Sequence, residues 1–105
     1  MPVIEITSKA EFLENILGSQ DAIILDCFAE ECGPCQAIAP KMEEWSTVYP
    51  QVKFYKVEVN KVPDVAQEVG VRAMPTFMLF KNGEKITEIV GAHPVSVEAG
   101  IKSLL

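Results

Sequence analysis

Cys32-Gly33-Pro34-Cys35 is the stretch of this 105-residue chain best suited to do chemistry. Two thiols at this spacing can close a disulfide within one helical turn and open it again, which is dithiol–disulfide exchange. The attacking species in that exchange is a thiolate. A cysteine at the leading edge of a helix meets unpaired backbone N–H groups and the positive end of the dipole, and both favour its ionised form. The residues from Pro34 onward read as such a helix, so Cys32 is the expected nucleophile. Cys35, one turn deeper, is the expected shielded and resolving thiol. Zinc is the competing use of such a pair. It needs four ligands, and the sequence adds only Cys27, inside an apolar run, and the single His93.

Two further charges stand out because apolar residues surround them. Asp26 interrupts Ile23-Ile24-Leu25 and Cys27-Phe28, and Lys56 lies among Phe54, Tyr55 and Val57. A buried charge is expensive unless it finds a partner or shifts its pKa. A plain ion pair across neighbouring strands would satisfy both. The functional alternative makes Asp26 a carboxyl of raised pKa that takes the proton from Cys35.

The elements that must position these groups follow from period and punctuation. Ser8-Lys9-Ala10-Glu11 is a capping box, Phe12, Leu13, Ile16 and Leu17 continue at helical spacing, and Gly18 stops the helix. Ala22 to Ala29 and Val52 to Val59 are continuous apolar runs, as buried strands require. Between them Ile38, Met42, Trp45 and Tyr49 mark a long helix with Pro40 as a kink site. Pro63 suits a first helical turn, and Val62, Val65, Ala66 and Val69 form a short amphipathic face ending at Gly70. Thr76 to Lys81 and Lys85 to Val90 are strands joined by the hairpin signal Asn82-Gly83. Val97, Ile101 and Leu104 give a last helix opened by His93-Pro94. The order is βαβαβαββα, an α/β chain whose mixed sheet carries helices on both faces. No linker or repeat divides residues 1–105, so a single domain is expected.

Composition removes several function classes. Fifteen acids against nine bases leave a formal charge of −6, which phosphate backbones and anionic headgroups repel, so neither nucleic acid nor membrane is an expected partner. Residues 1–8 lack the pattern of a secretory signal. Three cysteines are too few for a disulfide scaffold, and a reduced, cytoplasmic setting is expected. Cys27 reads as a small core hydrophobe, Trp45 as core packing, and His93 as a cap neighbour or solvated side chain.

The segments Ile24-Leu25-Asp26, Cys32-Gly33-Pro34-Cys35, Ile38-Ala39-Pro40, Met74-Pro75-Thr76-Phe77, Leu79-Phe80-Lys81-Asn82-Gly83 and Val90-Gly91-Ala92 together resemble the thioredoxins, in wording nearest the fungal type. The resemblance spans nearly the whole chain. It implies the thioredoxin fold, a mixed five-stranded sheet flanked by four helices. It implies a protein-disulfide reductase in which Cys32 attacks, Cys35 resolves, Asp26 is the buried base and Lys56 tunes it. Pro75 would be a cis proline, for which the cis bond is cheap, and Met74 would pair by backbone with an extended client. Gly33, Pro34, Gly91 and Ala92 would complete the client surface. No bound cofactor is implied. Recharging by NADPH through thioredoxin reductase is implied, as are oxidised client proteins as partners and a monomer.

Two positions depart from the family pattern. Thioredoxins usually carry Trp before the first cysteine and Lys or Arg after the second, where this chain has Glu31 and Gln36. A carboxylate about 7 Å from a thiolate disfavours it by ~0.6 kcal/mol in water and ~2.4 kcal/mol at an effective dielectric of 20. Slower exchange is therefore expected from Glu31, whereas Gln36 also reads as an ordinary solvated residue. A thioredoxin-like fold kept as an interaction module, with weakened chemistry, is the alternative.

Overall fold

A computed structural model describes residues 3–105; Met1 and Pro2, the first two residues of the expected 1–105 domain, lie outside the described residues. The elements follow the expected order: β1 (Ile4–Ile6), α1 (Lys9–Phe12), β2 (Ala22–Phe28), α2 (Gly33–Val48), β3 (Val52–Glu58), α3 (Pro63–Val69), β4 (Thr76–Lys81), β5 (Glu84–Val90) and α4 (Pro94–Ser103). Among the described residues the strands form one five-stranded sheet, ordered β1-β3-β2-β4-β5. β1 and β2 both pair parallel to β3, whereas β4 runs antiparallel to β2 and β5.

Alternation along β2 divides the core. Ile23, Leu25 and Cys27 face the cluster that contains Phe12, Ile16, Val65, Met78 and Phe80. Ile24 faces the other, built with Ile38, Met42, Trp45, Phe77, Val97 and Ile101. Period-2 side-chain direction puts Asp26 on this second face with α2. Most of the expected stripes are buried: Val97 and Ile101 in α4 with Leu104 as its C-cap, and Ile38, Met42 and Trp45 in α2. Tyr49 falls at the C-cap of α2 and is half-buried. α2 runs through Pro40 without ending.

Local chemistry accounts for the boundaries. The Glu11 amide donates to Ser8 Oγ at 3.1 Å, and the Glu11 carboxylate accepts from Thr7 N and Thr7 Oγ1 rather than from Ser8, so half of the capping box forms. After Phe12 the helix widens into a π-helical segment, Leu13–Leu17. This departs from the expected regular helix and leaves Leu13 exposed, while Phe12 and Ile16 stay buried. The two buried strands end one residue earlier than their apolar runs, at Phe28 and Glu58. Asn82 and Gly83 both have positive φ, 55° and 77°, as a two-residue hairpin of the primed type requires.

Candidate functional site

Strand β2 ends at Phe28 on the same edge of the sheet from which β4 begins, because Cys27 pairs with Thr76, and β5 ends there too, because Thr76 pairs with Val90. Three of the connections at this edge carry expected site residues. The Ala29–Glu31 loop delivers Cys32, the segment before Thr76 delivers Met74 and Pro75, and the segment after Val90 delivers Gly91 and Ala92.

Cys32 is the N-cap of α2. The Cys35 backbone N–H donates to its Sγ at 3.2 Å, and Pro34 occupies the first turn, where a missing N–H does no harm. A helix amide thus points directly at the sulfur, the arrangement that stabilises negative charge there. The two sulfurs are joined as a disulfide, with Cα atoms 5.2 Å apart. Cys32 is half-buried, Cys35 is only 3% exposed, and Gly33 and Pro34 between them are exposed. Gly33 has open space around its Cα, so no close approach demands a glycine.

Behind the disulfide lies a small cavity of about 60 Å³ lined by Asp26, Phe28, Cys35, Gln36, Ala39 and Lys56. It brings the resolving cysteine and the buried carboxyl into one space. Burial pushes the Asp26 carboxyl up to about 7 from 3.8, against the opposing pull of the Lys56 ammonium. Asp26 Oδ1 is buried without a hydrogen-bond partner. The direct ion pair considered from the sequence is not formed. Lys56 is Asp26's neighbour in the β2–β3 register, but it is half-buried, not buried, and its Nζ stands 5.8 Å from the centroid of the Phe28 ring. A long lysine side chain keeps its ammonium near water, and an aromatic face supplies the partner.

The opposite wall is built by backbone. The Met74–Pro75 bond is cis. The Pro75 carbonyl accepts from the Gly91 N–H at 2.9 Å, tying the two segments together. Gly91 has φ +100°, and a Cβ there would meet His93 Cδ2 at 3.1 Å, so glycine fits for both backbone and space. Met74 is 39% exposed, Pro75 is buried, and Ala92 is half-buried against the core.

Two residues at this edge do work that the sequence did not disclose. Glu58 is 3% exposed, and its carboxylate accepts the backbone N–H of Glu30 at 2.9 Å together with those of Asn60 and Lys61. These donors, Glu30 first, hold its carboxyl below the usual range. The signal was present: Glu58 stands between Val57 and Val59, a charge among apolar residues as with Asp26 and Lys56. Gln36 is not a freely solvated side chain either, since its Nε2 donates to the Glu30 carbonyl at 3.1 Å.

Cys27 is fully buried and free. Burial, then the Asp26 and Glu88 carboxylates, push its thiol far up, which keeps it from acting as a nucleophile. His93 is the N-cap residue of α4 and makes no side-chain cap bond. Among the described residues no group of three or more His, Cys, Asp or Glu side chains is placed to hold a metal, and no helix is long and apolar enough to cross a membrane.

The thioredoxin family model matches residues 3–103. Thioredoxin-1 of Schizosaccharomyces pombe is 48% identical over 96% of this chain and 97% of its own. Thioredoxin-2 of Pyricularia oryzae is 50% identical over 98% of this chain, which spans 60% of that longer relative. A Plasmodium falciparum thioredoxin structure superposes with a TM-score of 0.93 at 38% identity, covering 98% of this chain and 100% of the other. The mixed sheet with helices on both faces is thus the thioredoxin fold that the motifs implied. About half of the residues identical over nearly the whole length, with a matching backbone, is a relationship of family: the chain belongs to the thioredoxins and is a thiol–disulfide oxidoreductase.

Proposed function

We propose that this protein is a single-domain, monomeric, cytoplasmic reductant of client-protein disulfides, with its exchange rate lowered by Glu31 and Gln36. The observation that carries the reading is the Cys35 N–H donating to Cys32 Sγ at the head of α2. In the reduced protein the Cys32 thiolate attacks a client disulfide, forming a mixed disulfide and releasing one client thiolate. Cys35 then loses its proton toward Asp26, its sulfur attacks Cys32 Sγ, and the second client thiolate leaves. Two electrons pass to the client and the pair ends oxidised.

Asp26 suits the role of base because its carboxyl titrates at about 7, near the operating pH, and shares a cavity with Cys35. That cavity, about 60 Å³, is large enough for a water to carry the proton between them. Lys56 tunes Asp26 from the neighbouring strand. An extended client would lie across Gly33 and Pro34 on one side and Met74, Pro75, Gly91 and Ala92 on the other, pairing with the Met74 backbone. The oxidised pair would be recharged by thioredoxin reductase with NADPH, and the chain itself needs no cofactor.

Glu31 replaces an aromatic platform with a charge beside the nucleophile. Loss of such apolar contact costs on the order of 1–3 kcal/mol where a partner buries it. Restoring it in Glu31→Trp is expected to raise reductase-coupled turnover at pH 7, and equal turnover would refute the attenuation. An interaction module with weakened chemistry is the second reading, favoured by Glu31 and Gln36 at the two ends of the cysteine motif. Disulfide reduction by wild type that vanishes in Cys32→Ser supports chemistry, while partner binding without any reduction supports the module.

A further inference from the structure

Three acids border the loop that delivers Cys32, and two are already engaged. The Glu58 carboxylate is buried on three backbone amides, and the Glu30 carboxylate pairs with Lys61 at 2.6 Å. Glu31 is exposed, and among the described residues it forms neither an ion pair nor a side-chain hydrogen bond. Two cations of this edge already have other partners. Lys61 is held by Glu30, and Lys56 stands over the Phe28 ring.

The backbone around Glu31 is pinned on both sides. The Glu30 N–H donates to Glu58 and the Glu30 carbonyl accepts from Gln36, while the Cys32 N–H donates to the Ala29 carbonyl at 3.1 Å. The backbone that carries Glu31 is therefore fixed beside the attacking sulfur, and its exposed side chain extends from a rigid base. A charge borne on fixed backbone discriminates between partners more effectively than one on a mobile loop, because less backbone freedom is lost on contact.

We infer that Glu31 is a specificity-determining residue that selects clients whose reactive disulfide lies beside Lys or Arg. The inference rests on the reductase reading above. As Cys32 Sγ bonds to one client sulfur and the other departs as thiolate, the flanking client cation sits against the Glu31 carboxylate. A flanking Asp or Glu is repelled from the same place.

The test uses two peptide disulfides, identical except that Lys or Glu flanks the reactive cysteine. Each is mixed with the reduced full chain as wild type, Glu31→Gln, Glu31→Lys or Glu14→Gln. Glu14 lies in the α1 region, away from the sheet edge that carries Cys32, and changes net charge equally. One attraction and one repulsion at 4–7 Å give a rate preference for the Lys peptide on the order of tenfold in low salt, most of it lost at about 0.5 M salt. Glu31→Gln is expected to remove most of that preference, Glu31→Lys to reverse it, and Glu14→Gln to leave it. Reduction of both peptides with the wild-type ratio retained in Glu31→Gln, or lost equally in Glu14→Gln, overturns the inference alone. Reduction of neither peptide by wild type overturns the reductase reading, and this inference with it.

Discussion

Asp26 and Lys56 face each other across the parallel ladder of β2 and β3, yet their charges form no ion pair and one Asp26 oxygen is left unpartnered. The lysine lowers the carboxyl's pKa without neutralising its burial, which is the larger effect. The result is a carboxyl that titrates at about 7 beside the resolving thiol. A closed salt bridge would instead have left Asp26 permanently ionised.

That balance makes stability depend on pH in a definite direction. The folded protein binds the Asp26 proton more tightly than the unfolded chain, whose carboxyl keeps its ordinary 3.8. Stability is therefore complete below about pH 4 and is lost as pH rises toward 7. The lift corresponds to about 4 kcal/mol at most. In denaturant titrations Asp26→Asn is expected to exceed wild type by a few kcal/mol at pH 8, with the gap closing near pH 4. The same variant should reduce disulfides ten- to a hundredfold more slowly, roughly the lower end of a lost general base.

Glu58 predicts the opposite slope. Its carboxyl is held low by backbone donors, so its contribution is present above its ordinary 4.5 and lost as pH falls through its folded value. Glu58→Gln must set an NH2 group against one of those N–H donors. It is expected to be less stable at pH 7 by about 1–3 kcal/mol, with the difference shrinking below pH 4 in the same titrations.

Gly91 joins the wall opposite Cys32 to Pro75 in a conformation that suits only glycine. Gly91→Ala is expected to lose about 1–2 kcal/mol of stability, the cost of a side chain at positive φ. It should also slow client reduction several-fold. Adding His93→Ala removes the 3.1 Å contact but not the backbone cost, so the double variant should remain destabilised in thermal unfolding.

Most of this architecture was legible because the sequence states it in short-range terms. The buried strands are unbroken apolar runs, Asn82-Gly83 needs two positive φ values, and Gly33-Pro34 flanked by cysteines opens a helix. The features that escaped depend on where side chains end. Lys56 is long enough to leave the core and rest over Phe28, which a residue pattern does not reveal. Glu58 carries the same pattern as Asp26 but satisfies itself on the Glu30 amide, 28 residues away, and on the amides of Asn60 and Lys61 that follow it. The widening of the first helix into a π-helical segment has no composition signature in Leu13–Leu17.

The account stands on one sulfur, Cys32 Sγ, making the first bond to the client. Reduced Cys35→Ser protein mixed with an excess of a peptide disulfide, then digested and weighed by mass spectrometry, tests this directly. The expected product is a stable mixed disulfide on Cys32, with Cys27 unmodified in the folded protein. Adduct on Cys27, or no adduct while the fold is intact, would contradict it.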